Sequence, residues 1–130
     1  MDKNIRLLIV DDEAHFLESM AYWFRSKGYF VTTASNGIDA LRRIKQDPPD
    51  IVFLDLIMPE MDGAVTVKMV REFNNTLPII MMSAYETESV VKKKVNFYGV
   101  FDFFDKSDDF SKAQALLESA LRKNEELQNE

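Results

Sequence analysis

The sequence predicts an α/β domain built on one doubly wound, five-stranded parallel sheet. Short apolar runs alternate with amphipathic stretches along the whole chain, and no two-residue hairpin turn joins one run to the next. Such alternation needs crossover connections, which set parallel strands between helices on both faces. Runs 7–10, 51–54 and 79–82 are continuously apolar, as strands buried on both faces are.

Strands are expected near 5–10, 29–34, 50–55, 78–83 and 100–104, and helices near 13–27, 37–46, 63–74, 86–97 and 109–125. The first strand carries Leu7-Leu8-Ile9-Val10. Leu17, Met20, Ala21 and Phe24 then recur at helical spacing, and Gly28 can end that helix in the left-handed conformation. The second strand mixes Tyr29, Val31, Thr32 and Thr33, which suits an edge. Asn36-Gly37 starts the second helix, and Pro48-Pro49 stops the approach to Ile51-Val52-Phe53-Leu54. Asp62-Gly63 precedes the third helix and Pro78 the fourth strand. Asp102 interrupts the fifth strand, the second edge, and Ser107 or Asp108 can cap the last helix. Strands one, three and four are then central. That suits the order 2-1-3-4-5, the flavodoxin-like (βα)5 arrangement.

The totals bound the function. The chain has 130 residues, 46% hydrophobic and 29% charged, which suits one core. It has no cysteine, so disulfides and thiolate metal sites are out. The start, Met1-Asp2-Lys3-Asn4-Ile5-Arg6, lacks a signal peptide's long apolar segment, and no run approaches the ~20 residues of a membrane span. A cytoplasmic location and no membrane partner are expected. The formal charge of -6 argues against direct nucleic-acid binding by this domain. No internal repeat and no second domain are visible.

Candidate chemistry sits at strand ends. Asp11 and Asp12 close the first strand, Asp55 the third and Ser83 the fourth, and Lys106 follows the fifth. In an open parallel sheet, ligands bind beyond the carboxyl ends of the strands. Neighbouring strands lie about 4.8 Å apart, so the carboxylates would be close. Two unit charges at 4 Å repel by roughly 4 kcal/mol at an effective dielectric of 20. The cluster should therefore take up protons or a cation. Oxygen ligands without His or Cys favour Mg²⁺, which completes its shell with water and phosphate oxygens. Lys106 and Ser83 could meet a phosphoryl group. The inferred chemistry is phosphoryl transfer to a carboxylate nucleophile. Each residue also has a plainer reading. Asp12 suits a cap on the first helix, and Ser83 and Lys106 suit surface or capping positions. His15, the one histidine, reads as surface. Lys92-Lys93-Lys94 reads as a solvated helix face, with a basic docking patch as the alternative.

The chain resembles the receiver domain of two-component response regulators over nearly its full length. The motifs are Leu8-Ile9-Val10-Asp11-Asp12-Glu13, Asn36-Gly37-Ile38-Asp39-Ala40-Leu41, Pro49-Asp50-Ile51-Val52-Phe53-Leu54-Asp55-Leu56-Ile57-Met58-Pro59-Glu60-Met61-Asp62-Gly63, Met82-Ser83-Ala84 and Lys106. The third is highly specific. The resemblance implies that Asp55 takes a phosphoryl group from a histidine kinase's phosphohistidine. It implies that Asp11, Asp12, Asp55 and the backbone carbonyl of Ile57 hold Mg²⁺. Ser83 would hydrogen-bond the attached phosphoryl group, Lys106 would pair with it, and Phe103 would be the switch aromatic. The readout would be the face made by the fourth helix, fifth strand and fifth helix, the α4-β5-α5 face of the family. The implied partners are a sensor histidine kinase or phosphotransfer protein and a downstream protein or fused output domain. A homodimer through that face or the C-terminal helix is a further implication. The implied role is signalling, not stand-alone metabolic catalysis.

Three departures stand out. Ser107 replaces the proline that usually follows the site lysine. A cis bond before a non-proline costs about 2.5–4 kcal/mol, which points to a trans bond here. Phe103 lacks the hydroxyl of the commoner tyrosine. Ile57 and Tyr85 place bulk near the attacking water, and slow self-dephosphorylation is expected.

Other readings fit less well. An aspartate-based phosphatase wants an acidic residue two positions after its nucleophile, where Ile57 stands. A flavin domain wants a Ser/Thr/Gly-rich loop where Asp11-Asp12-Glu13-Ala14 stands. A degenerate receiver acting as a phosphorylation-independent interaction module has only Ser107 in its favour. The expected boundaries are a domain over 1–122 and a charged helical extension or start of a linker over 123–130. Phe110, Ala113, Leu117, Ala120, Asn124 and Leu127 share one 3-4 spacing, which reads mostly as the last helix packing on the sheet, with Asn124 at a position that could set coiled-coil register.

Overall fold

Alternation along β1 (Arg6–Val10) divides the core in two: Leu7 and Ile9 join one cluster, Leu8 and Val10 the other. In this computed structural model, which describes residues 4–84, 93, 96 and 98–128, every strand repeats that division. The others are β2 (Phe30–Ala34), β3 (Ile51–Asp55), β4 (Ile79–Ser83) and β5 (Asp102–Asp105). All pair in parallel in the order β2-β1-β3-β4-β5, with β2 and β5 at the edges as expected.

Helices cover both faces. On one, α1 (Ala14–Ser26) supplies Met20, Ala21 and Phe24, and the C-terminal helix (Phe110–Gln128) supplies Ala113, Leu117 and Ala120. They pack on Phe53, Ile80, Met82 and Phe104. On the other face, α2 (Gly37–Gln46) contributes Ala40 and Ile44, and α3 (Gly63–Arg71) contributes Val67 and Val70. These meet Val52, Leu54, Ile79, Met81 and Phe103.

Helix ends follow local chemistry. Asn36 Oδ1 accepts from Asp39 N at 2.7 Å to start α2, and Asp62 Oδ1 accepts from Val65 N at 3.0 Å to start α3. At the end of α1, Gly28 N donates to Arg25 O and Tyr29 N to Phe24 O, with Gly28 at φ 98°. The Tyr29 and Phe24 rings meet edge-on at 5.4 Å, the apolar contact that accompanies this type of stop.

Some boundaries differ from expectation for visible reasons. The third helix ends at Arg71, not 74, because Asn74 Oδ1 accepts from Thr76 N and Leu77 N and turns the chain. Arg71 fixes this turn through Leu77 O at 2.8 Å and Gly99 O at 3.1 Å, and burial lowers its pKa. The last helix begins at Phe110, and Ser107 binds Asp105 instead of capping it. That helix reaches Gln128, beyond its last core residue Ala120, and Leu127 is exposed. The helix expected over 86–97 and Tyr85 lie outside the described residues, apart from Lys93 and Asn96, which are helical and exposed.

Candidate functional site at the carboxyl edge of the sheet

Strand register delivers the acidic residues to one place. Val10 pairs with Leu54, so the residues that follow, Asp11 and Asp55, stand side by side at the carboxyl edge of the sheet. Asp11 N still bonds Ala34 O at 3.1 Å, which holds the end of β1 in line. Asp11 is 0% exposed and Asp55 4%, while Asp12 is open to solvent. One carboxylate oxygen from each of the three lies within 4.8 Å of the others.

Lys106 reaches this cluster from the end of β5. Its backbone N–H donates to Ser83 O at 2.9 Å, extending the β4–β5 ladder. Its Nζ lies 2.9 Å from Asp11 Oδ2, 3.4 Å from Glu13 Oε1 and 3.6 Å from Asp55 Oδ2. The ring of Phe16 lies under the ammonium, 4.7 Å from Nζ to the centroid.

Electrostatics follow from the crowding. Burial, then the Asp11 charge, push the Asp55 carboxyl up to about 7; the Lys106 charge and the Ile57 backbone N–H pull the other way. Burial lowers the Lys106 pKa, but the close Asp11 carboxylate, then Asp55 and Glu13, outweigh it, and the net shift is upward. Asp11 Oδ1 accepts from Glu13 N at 2.9 Å. Asp11 Oδ2 is buried beside Nζ, in ion-pair range but without a well-directed hydrogen bond.

The remaining candidates are spread around this cluster. Ser83, 8% exposed, ends β4 next to β3. Ile57 presents its side chain to solvent, 73% exposed. Phe103 is 7% exposed and packs on the α2–α3 side, 6.4 Å from the Tyr98 ring. Asp12 does not cap α1: Glu13 holds the cap position with no side-chain bond, and its own N–H donates to Asp11 Oδ1. Glu13, Phe16 and Asp105 were not singled out from sequence as contributors to the site. Only Glu13 left a trace there, as the third acid in a row.

A model of the response regulator receiver domain matches residues 7–120. The chain belongs to the response regulator receiver domain family. The receiver domain is 33% identical over 119 residues to the transcriptional regulatory protein ZraR of Klebsiella oxytoca, covering 92% of this chain and 27% of that protein. It is 30% identical over 122 residues to the alkaline phosphatase synthesis transcriptional regulatory protein PhoP of Bacillus subtilis, covering 94% and 50%. The chain thus spans half or less of these curated relatives. Among solved structures, a putative response regulator from Chloroflexus aurantiacus superposes with a TM-score of 0.84 at 30% identity, covering 92% of this chain and 98% of that one.

Receiver domains generally bind Mg²⁺ at an acidic pocket, and this chain carries an Asp11, Asp12 and Asp55 group of that kind. The donor set fits such an ion. All three side chains offer hard oxygen atoms, and the buried Asp11 Oδ2 lacks a directed donor. Among the described residues, no helix of this receiver domain is long and apolar enough to cross a membrane.

Proposed function

We propose that Asp55 accepts a phosphoryl group from the phosphohistidine of a sensor histidine kinase or phosphotransfer protein. The observation that carries this reading is the convergence of three carboxylates and one ammonium at the carboxyl edge of the sheet. In the reaction, an Asp55 carboxylate oxygen attacks phosphorus. The new O–P bond forms as the donor's N–P bond breaks, and the imidazole leaves with that electron pair. Asp11, Asp12, Asp55 and the Ile57 carbonyl would hold Mg²⁺, which when bound offsets charge on the carboxylates and on the phosphoryl oxygens. Lys106 pairs with the attached group, and the Ser83 hydroxyl donates a hydrogen bond to it.

Modification then biases a two-state equilibrium, since the attached phosphoryl group would gain its contacts to Ser83 and Lys106 only when the Ser83 loop is closed. Phe103 is buried here, in the inward arrangement that the modified protein would favour. The readout is the face around β5, the C-terminal helix and the segment 86–97, directed at a downstream protein or a fused output domain. The same face, or the C-terminal helix, would serve a homodimer. Residues 1–122 act as the receiver unit, and 123–130 as a helical extension toward a linker. The helix continuing to Gln128 past its buried residues supports that division.

Intact mass after incubation with Mg²⁺ and acetyl phosphate tests the acceptor. The parent is expected to gain one phosphoryl group and Asp55→Asn none. Equal labelling of both would remove Asp55 as the acceptor. A second expectation concerns lifetime. The side chain of Ile57, exposed and two residues after Asp55, would restrict the attacking water. The phosphoryl group is therefore expected to be lost slowly from the purified protein, and faster from Ile57→Gly; equal loss rates would clear Ile57 of that role.

A further inference from the structure

No proline restrains the loop that carries Lys106; the following residue is Ser107. A different device holds it. Asp105 Oδ1 accepts from Ser107 N at 2.9 Å and from Ser107 Oγ at 2.7 Å. Asp108 N then donates to Asp105 O at 2.9 Å, closing the turn. Lys106 and Ser107 are the two residues inside this turn, and the Lys106 N–H is fixed to Ser83 O. The root of the lysine is thus tied on both sides, by the sheet before it and by a carboxylate clamp around it.

The tip is constrained as well. Phe16 supports the ammonium from beneath and Glu13 approaches it at 3.4 Å, leaving Asp11 and Asp55 as its inward partners. A four-carbon stem has many rotamers, so a mobile root would spread the ammonium over several positions. Asp105 bonds Ser107, the residue after the lysine, and so bears on the site through its neighbour.

We propose that Asp105 is a positioning residue, whose carboxylate clamps Ser107 and thereby sets Lys106 on the Asp11–Asp55 pair. The part played in phosphoryl transfer rests on the function proposed above, whereas the placement of the ammonium does not. The experiment therefore has two readouts. The first is Mg²⁺ affinity of the full chain by calorimetry. An ammonium held on Asp11 and Asp55 competes with the ion, so loosening the clamp in Asp105→Ala is expected to tighten Mg²⁺ binding several-fold. Asp105→Asn keeps the Oδ1 acceptor and is expected to behave as the parent does, which separates the clamp from the loss of one charge. Ser107→Ala deletes the 2.7 Å bond, leaves β5 untouched, and is expected to shift affinity in the direction of Asp105→Ala. The second readout is the rate of labelling by acetyl phosphate, expected to fall about tenfold in Asp105→Ala and to be restored in Asp105→Asn. If Ala and Asn shift affinity equally, or neither does, the clamp is overturned. If the parent itself takes no label, the phosphoacceptor reading fails while the affinity comparison still decides the clamp.

Discussion

In metal-free buffer at pH 7, Asp55→Asn is expected to be more stable than the parent by about 2 kcal/mol. The parent buries the Asp55 carboxyl beside Asp11, and its pKa rises from 3.8 to about 7. A carboxyl whose folded pKa exceeds its unfolded one binds more protons in the native state. Stability is therefore highest below pH 4 for this group, falls as pH rises through the interval, and levels off above pH 7. The full interval corresponds to about 4 kcal/mol at most. The lost attraction between Asp55 and Lys106, 3.6 Å apart, offsets part of the gain from removing the charge. Urea unfolding from pH 4 to pH 8 checks this. The parent should lose stability across the range more steeply than the variant, and parallel profiles would mean that Asp55 is not strained by its neighbours. Added Mg²⁺ should stabilise the parent more than the variant, narrowing the difference at pH 7.

Gly63→Ala is expected to cost about 3 kcal/mol and to reduce labelling of Asp55, although Gly63 has no side chain to offer the site. A Cβ there would lie 2.4 Å from the backbone oxygen of Asp55 and 2.9 Å from the Cα of Leu56. Both obstacles are backbone, so no side chain can swing away. Gly63 N also donates to Leu56 O at 2.8 Å, which seats the first turn of α3 directly on the end of β3. Relief of the clash moves α3 or displaces Asp55 itself. Equilibrium unfolding measures the first effect and intact mass the second. A loss below about 1 kcal/mol would show that this junction is loosely packed.

Much of the architecture is legible in the sequence. Leu7 to Val10, Ile51 to Leu54 and Ile79 to Met82 read as strands covered on both faces, and the mixed second and fifth strands read as edges. Once the order followed, so did the meeting of Asp11 and Asp55. Asp105, Ser107 and Phe16 were not readable. Ser107 suited a helix cap as well as a turn, because a short hydroxyl side chain serves either. Its partner depended on where the loop after β5 bends. Phe16 has the spacing of a core residue on α1, and it does join the core cluster on that face; nothing in its position along the chain says that an ammonium from residue 106 rests on its ring. Contacts set by strand period are legible from sequence, and those set by the path of a single loop are not.

The strand order also sorts the site's charge in time. β1 lies between β2 and β3, so the first 55 residues contain three adjacent strands and all three aspartates. Lys106 arrives on the opposite edge strand, some fifty residues later in synthesis. A chain that emerges amino end first assembles its anions before it possesses their cation. An incomplete product is thus left with an acidic pocket that resists closing, and the last strand brings both the final edge of the sheet and the charge that lets the pocket settle.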